Sequence, residues 1–457
     1  MKIDCQLDYQ TILRNQAQPV HVVVKLTADR LEHQQRKPLA FCVVLDRSGS
    51  MAGKPLEHAR KASELIVKNL RVEDYFSLVI FDGEAQVVIP LQNMKSKDAM
   101  IQVIRQIQDA GSTNLTAGWM LGRDELKKAP SGIQRRVLLL TDGHLNCGIV
   151  EPAQVERIVA SGLEKDTVRT STLGFGDGYS EDILRQVAKA SGGDFHDADS
   201  PEKLPVIFKE ELQGLQQITA QNVRLRVKSL DFCERWGQLS DYSYTILPDN
   251  RIEFAIGDLV SEEDRVMVLL MEVLPLPFFN GQPVASLEGE KLLGFEILWD
   301  EIGEKEIKSC KHEQIIRVLG TQDVNDVKLN EEVVAWVAVQ KAGKAVDEAT
   351  KDIDADKIND AKTKLHRALD ALKRYKLDDK AADGIRLLQD LLARLESGEY
   401  SVRDRKMSSY SSSYYRKGST RKAWTSPTAK PAFSKVQSVE EQLNEENKPK
   451  PPPSTKS

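Results

Sequence analysis

Hydrophobic positions divide the chain into regions of different periodicity, and residues 38–217 form the clearest one. The run Leu39–Leu45 is continuously apolar, and in Leu56–Leu70 the apolar side chains recur every three or four positions. The continuous run predicts a parallel strand buried on both faces, and the recurrence predicts a helix. Further strands are predicted at 76–81, 136–140, 167–175 and 194–198, and further helices at 97–109, 117–128, 151–165, 181–190 and 201–215.

This alternation of strands and helices predicts a doubly wound, Rossmann-like α/β domain. Ligands of such domains bind beyond the carboxyl ends of the strands. Functional residues are therefore expected directly after Leu45 and directly after Leu140.

The regions on either side of this domain have other patterns. Residues 218–325 contain successive strand-like stretches, such as the alternating Val223, Leu225 and Val227, which predict an antiparallel β-sandwich. Residues 1–35 hold two more strand-like stretches and are predicted to complete the sandwich, so that the α/β domain is inserted into it. Apolar stripes in 326–397 predict three helices. Residues 398–457 lack periodicity, and we predict a disordered, basic, Ser/Tyr-rich tail.

Composition narrows the class of protein. The 457 residues are 40% hydrophobic and 29% charged, with a net charge of -5, which is typical of a soluble globular protein without a general attraction to nucleic acid. The N-terminus has no signal-peptide pattern, and the longest apolar run, 266–276, is too short to span a bilayer. The five cysteines never occur as CxxC, which is typical of a reducing compartment. A cytoplasmic location is the prediction.

Candidate metal ligands follow two of the predicted strands. Asp46, Ser48 and Ser50 alternate directly after Leu39–Leu45, and Asp142 follows the strand 136–140. Thr113 lies in a loop that precedes a helix. Because all these side chains offer oxygen, they suit a hard cation such as Mg²⁺ (or Mn²⁺) and disfavour zinc.

The order Asp46-x-Ser48-x-Ser50, Thr113, Asp142-Gly143 resembles the metal-ion-dependent adhesion site of the von Willebrand factor type A family. More loosely, residues 1–325 are similar in arrangement to bacterial type A proteins and to inter-alpha-trypsin inhibitor heavy chains. The resemblance implies direct metal ligation by Ser48, Ser50 and often Thr113, with Asp46 and Asp142 bound directly or through water. It also implies that the helix 201–215 can shift when the metal site changes state.

Five protein oxygens, some acting through water, do not fill an octahedral shell. An Asp or Glu of a protein partner can therefore replace water at the metal. The resulting prediction is a scaffold or adaptor that binds its partner through Mg²⁺ and is not an enzyme.

The sequence leaves two alternatives open. The first is a metal-dependent hydrolase or a subunit of one, although Ser48 stands where an aspartyl-phosphate enzyme needs a second carboxylate and no base is evident for a serine nucleophile. The second is a phospho-regulated signalling component whose output is the tail. Basic residues outnumber acidic ones nine to one in 401–435, and a kinase could act on Ser408–Tyr415. The tail could equally dock on an acidic surface or serve only as a linker.

Two other segments resemble ligand loops. The glycine-rich stretch 174–178 is predicted to be a turn rather than a phosphate loop, because Ser180-Glu181-Asp182 puts carboxylates at the start of the next helix. Ser180 is predicted to be the N-cap. The acids of 352–356 are predicted to form a solvated connection, since Lys357 and Thr363 occupy positions where a calcium loop needs Gly and Glu.

Overall fold

A computed structural model describes residues 1–30, 38–142, 144–175, 179–198, 207, 218–230, 232–276, 278–279, 282–283, 290–302, 307–374 and 379–418. The strands are β1 Lys2–Leu7, β2 Thr11–Leu13, β3 Gln18–Thr27, β4 Leu39–Asp46, β5 Tyr75–Phe81, β6 Ala85–Asn93, β7 Gln134–Leu140, β8 Val168–Phe175, β9 Phe195–Ala198, β10 Ile218–Ser229, β11 Cys233–Gln238, β12 Tyr244–Ile246, β13 Ile252–Val260, β14 Asp264–Val273, β15 Phe278–Phe279, β16 Gln282–Pro283, β17 Glu290–Ile302 and β18 Ile307–Thr321. The helices are α1 Lys54–Asn69, α2 Lys97–Arg105, α3 Leu115–Lys127, α4 Pro152–Asp166, α5 Glu181–Ala190, α6 Glu331–Asp354, α7 Ile358–Lys373, α8 Asp379–Ser397 and α9 Val402–Arg416.

The α/β domain is built on a six-stranded sheet in the order β6-β5-β4-β7-β8-β9. All neighbouring pairs are parallel except β5 and β6, which are antiparallel. Every residue of β4 is buried, as its continuous apolar sequence predicts. The edge strand β6 was not predicted, because Pro90 and its polar neighbours give it no clear apolar alternation. The predicted helix 201–215 lies outside the described residues apart from Ile207.

Two antiparallel-rich sheets face each other across the second core. One has the order β1-β3-β14-β11 and the other β12-β13-β10-β17-β18-β2. Strands β3 and β2 thus pair with β14 and β18, which follow the α/β domain in sequence. Of the strand pairs described in these two sheets, β2 with β18 is the parallel one. The α/β domain and the antiparallel sandwich of the predicted fold class are confirmed.

Helix α6 explains the consecutive apolar residues Val22–Val24 in β3 and Val266–Met271 in β14. Val22 and Val24 face the core between the sheets, whereas Val23 points to the opposite side. There it packs with Val266 and Val268 of β14 against Val333 and Val337 of α6. Both faces of the four-stranded sheet are covered, so its strands lose the polar face of a solvated sheet.

The three helices predicted in 326–397 are present as α6, α7 and α8, and their apolar stripes pack on one another. The predicted solvated connection at 352–356 was wrong in part, because Asp352 and Asp354 form the end of α6. Asp352 pairs with Lys364 of α7, and Asp354 pairs with Arg405 of α9. Ion pairs inside the fold therefore account for these acids.

The prediction that disorder begins at residue 398 was also wrong, because α9 spans Val402–Arg416. Ser401 and Asp404 form a reciprocal capping box at its start. Ser408 and Ser411 are buried, and each hydroxyl donates to the carbonyl oxygen four residues earlier. The helix is held mainly by polar contacts, which a search for apolar stripes does not detect. Residues 419–457 lie outside the described part of the chain.

Ionic contacts join the α/β domain to the sandwich. Arg136 and Arg169, near the amino ends of β7 and β8, both bind the buried carboxylate of Asp258 in β13, at 2.8 and 2.6 Å. The sandwich therefore covers the amino edge of the parallel sheet, and the carboxyl edge faces away from it. Over the described ranges, none of the helices combines the length and the apolar character needed to cross a membrane.

Candidate metal centre

The first candidate loop leaves β4 at Asp46, whose side chain is fully shielded from water. The backbone N–H of Ser48 donates to Asp46 Oδ1 at 2.8 Å, which turns the chain sharply at the end of the strand. A single turn of 3₁₀ helix follows at Gly49–Met51. The hydroxyl oxygens of Ser48 and Ser50 lie 3.2 Å apart. The turn therefore gathers one carboxylate and two hydroxyls.

Thr113, from the loop before α3, reaches the same edge of the sheet. The carbonyl of Gly111 accepts a hydrogen bond from Gly49 N–H at 3.1 Å, which ties the two loops together. The backbone N–H of Thr113 donates to Asn146 Oδ1 at 2.6 Å. Its hydroxyl is buried and has no hydrogen-bond partner among the described residues. A buried hydroxyl without a partner carries a desolvation cost, which a metal ligand bond would remove.

Asp142 follows β7, the strand next to β4, and is 7% exposed. Its Oδ1 accepts the backbone N–H of His144 at 3.1 Å, and the neighbouring Thr141 donates its hydroxyl to Asp46 Oδ2 at 2.6 Å. The backbone carbonyl of Asp142 accepts Ser180 N–H at 2.8 Å. Gly143 of the motif lies outside the described residues.

The electrostatics of the centre favour a cation. Burial raises the pKa of Asp46 from 3.8 to about 6, against the opposing effect of its hydrogen bonds to Thr141 and Ser48. The nearby charge of Asp142 raises this pKa further. Two carboxylates that repel each other in a buried position are stabilised when a divalent cation enters between them.

One side of the centre is open. Ser50 and His144 are exposed, whereas Asp46, Ser48, Thr113 and Asp142 are buried. The donor set is made of carboxylate and hydroxyl oxygens, which fits Mg²⁺ or Mn²⁺ better than zinc. Among the described residues, this centre included, no three His, Cys, Asp or Glu side chains gather as metal ligands would, so the hydroxyls of Ser48, Ser50 and Thr113 are essential to the donor set.

Three contacts around the centre were not predicted from the sequence. Thr141 orients Asp46, and its position beside Asp142 was the available signal. Asn146 holds the backbone of Thr113, and Arg47 pairs with Asp82 at 2.6 Å. Ser180 occupies the predicted N-cap position of α5, but its side chain makes no capping hydrogen bond, and its backbone N–H instead binds Asp142.

The doubly wound sheet, with these oxygens gathered at its carboxyl edge, has the arrangement of a type A domain. Comparison with known proteins agrees: residues 41–210 match the model of the von Willebrand factor type A domain, and the chain therefore contains a domain of this family. Such a domain is commonly a metal-dependent protein-interaction module.

Two curated relatives illustrate the range of similar proteins. An uncharacterized protein of Synechocystis sp. is 28% identical over 274 residues, covering 58% of this chain and 64% of the relative. Human inter-alpha-trypsin inhibitor heavy chain H3 is 27% identical over 190 residues, covering 38% of this chain and 21% of the relative. This chain thus matches less than two thirds of the length of either relative.

Two solved structures resemble the whole arrangement. A von Willebrand factor type A protein from Catenulispora acidiphila has a TM-score of 0.65 at 18% identity, with 85% of this chain and 89% of that chain covered. The ArnB paralog VWA2 from Sulfolobus acidocaldarius has a TM-score of 0.58 at 14% identity, with 91% and 97% covered. These structures establish a shared fold that extends beyond the type A domain.

Proposed function

We propose that Asp46, Ser48, Ser50, Thr113 and Asp142 bind Mg²⁺ (or Mn²⁺), and that the protein is a scaffold or adaptor whose partner supplies an Asp or Glu to the metal. The observation that carries the proposal is the buried Thr113 hydroxyl, which has no hydrogen-bond partner among the described residues. The same centre contains the buried carboxylate of Asp46, whose pKa is raised to about 6. Both groups gain from a bound cation.

The exposed edge of the centre supports recognition of a partner. Ser50 and His144 border it from two different loops. A metal held by oxygens from one side keeps a coordination position toward solvent, and a carboxylate is the natural replacement for water there. The sandwich lies at the opposite edge of the sheet, so it does not block a large partner.

A pull-down from native lysate tests this function. The wild type is compared in Mg²⁺ and in EDTA, and in Mg²⁺ with Asp46→Ala/Ser48→Ala. We expect one set of proteins to be lost both in EDTA and with the double variant, and changing the contacting Asp or Glu of such a partner to its amide should abolish capture. A matched control is Thr116→Val, which removes a buried hydroxyl near the centre but not a proposed ligand.

The hydrolase alternative predicts a different result. If the protein catalyses a hydrolysis that Asp46→Ala abolishes, and if the captured proteins are unchanged, then the function of the metal is catalysis and not partner binding. An unchanged set of captured proteins without turnover would instead give the metal a structural role. We also propose a cytoplasmic location, because Cys5, Cys42, Cys147 and Cys233, the cysteines whose side chains the structure describes, are free thiols.

A further inference from the structure

Helix α9 inserts a lysine into the α/β domain. Lys406 is 1% exposed, and burial of a lysine is rare unless the charge is paired. Its ammonium group donates to the backbone carbonyl of Tyr179 and to Glu181 Oε2, the latter at 2.9 Å. It also lies 3.6 Å from the centroid of the Tyr179 ring. These contacts place a fixed positive charge against the segment that joins β8 to α5.

The same segment touches the metal centre. Ser180 N–H donates to the carbonyl of Asp142 at 2.8 Å. The carbonyl of Tyr179 and the N–H of Ser180 belong to one peptide group, so a single planar unit is bonded to Lys406 on one side and to Asp142 on the other. Rotation of this peptide would break both hydrogen bonds together.

Two arginines of α9 hold the rest of the segment. Arg403 binds both carboxylate oxygens of Asp197, and Asp197 Oδ1 also accepts the Tyr179 hydroxyl at 2.6 Å. Arg405 binds the other oxygen of Glu181 and reaches Asp182 Oδ2 at 3.1 Å. Tyr179 and Glu181 are therefore restrained by α9 on both sides of the bridging peptide.

We infer that Lys406 is a positioning residue for the metal centre, acting through the Tyr179–Ser180 peptide on Asp142. This inference rests on the proposed metal-binding function. Docked α9 holds Asp142 in place for the metal, and loss of the Lys406 contact leaves the Asp142 backbone less restrained. Coupling between two equilibria is reciprocal, so metal binding also tightens the docking of α9 by the same factor.

The helix offers a matched control at its other end. Lys417 donates to a backbone carbonyl, that of Gly193, at 2.9 Å and to a carboxylate, Asp194 Oδ1, at 2.7 Å. It makes the same two kinds of bond as Lys406 but does so at the amino edge of the sheet. Lys406→Met and Lys417→Met therefore each remove one bond to a backbone carbonyl and one to a carboxylate. Lys406→Met does so beside the metal centre, and Lys417→Met does so at the opposite edge of the sheet.

The test is the Mn²⁺ dissociation constant of the full chain, measured by electron paramagnetic resonance. Couplings of this kind typically change an affinity by about 5- to 150-fold. We expect Lys406→Met to weaken Mn²⁺ binding at least about fivefold and Lys417→Met to leave it within about twofold. Without metal, the Ser180 amide should exchange its hydrogen faster in Lys406→Met only, and adding Mn²⁺ to wild type should slow exchange across 403–407.

Each other result counts against the inference in a different way. Equal weakening by both lysine variants would mean that α9 acts through general stability and not through the bridging peptide. Faster exchange at Ser180 with unchanged Mn²⁺ affinity would remove the coupling while leaving the proposed function intact. Absence of Mn²⁺ binding in wild type would contradict both the inference about Lys406 and the proposed function. Should Lys406→Met not fold, Arg405→Met loosens Glu181 from a partly exposed position and must weaken binding in the same direction.

Discussion

Replacing Asp46 with asparagine tests whether the buried Asp46 charge lowers the stability of the metal-free protein and is needed for binding the metal. The folded protein raises the pKa of this carboxyl from 3.8 to about 6. It therefore holds the proton more tightly than the unfolded chain does, and metal-free wild type loses stability as the pH rises through this window. Asparagine has the same shape without the charge, so it avoids this loss.

The size of the effect follows from the shift. About two pKa units correspond to about 3 kcal/mol in the free energy of unfolding. We expect metal-free Asp46→Asn to exceed wild type by about 3 kcal/mol at pH 7.5 and by about 1 kcal/mol at pH 4.5, where the wild-type carboxyl is protonated when folded. Mg²⁺ at about 100 times its dissociation constant should stabilise wild type by about 2.7 kcal/mol and should not stabilise the variant.

Urea unfolding followed by tryptophan fluorescence, in EDTA and in Mg²⁺, measures these differences, with the buried Trp119 as a reporter inside the α/β domain. Asp74→Asn is the control. Asp74 is also fully buried, but its carboxylate accepts the backbone amides of Leu39 and Arg71 at 3.0 and 2.7 Å, so the same substitution should destabilise. If metal-free Asp46→Asn is less stable than wild type at every pH, the ionised Asp46 carboxylate does not destabilise the metal-free protein.

Three further predictions use other parts of the structure. Thr113→Val should weaken Mn²⁺ binding, measured by calorimetry, by about 10- to 100-fold without loss of metal-free stability, whereas Thr116→Val should leave the affinity unchanged. Equal losses of affinity in the two variants would contradict a ligand role for Thr113. Asp258→Ala should cost about 3–5 kcal/mol in chemical denaturation, because it leaves two buried arginines without their shared carboxylate; a loss below about 1 kcal/mol would contradict this. Ser411→Glu, at a fully buried position, should release α9 to limited proteolysis, whereas Ser413→Glu at a half-buried position should not.

The α/β domain could be predicted closely because its signals are local. The continuous apolar run Leu39–Leu45 became the buried central strand, and Asp46 follows it directly. The carboxyl ends of parallel strands meet at one edge, so Asp46 and Asp142 could be brought together from sequence alone. The loop containing Thr113 lies between two helices, and the Gly49–Gly111 hydrogen bond that joins it to the Ser48 loop has no sequence signal.

Helix α9 could not be predicted because its stability depends on long-range polar contacts. Its buried positions are occupied largely by serines, and a sequence such as Ser408–Ser413 has low helix propensity in isolation. The carboxylates of Glu181 and Asp197, more than 200 residues earlier in the chain, bind Lys406, Arg403 and Arg405. A basic, Ser-rich segment is typical of disorder unless such partners are known.

Mn²⁺ binding measured by water-proton relaxation tests the central claim most directly, because it reports both occupancy and the number of exchangeable waters. We predict one Mn²⁺ site per chain that keeps at least one rapidly exchanging water. Asp46→Ala should lose the site, and Thr113→Val should weaken it. Titration with acetate should displace that water. A wild type that binds no Mn²⁺, or a bound Mn²⁺ whose coordination shell is closed to water, would contradict the account.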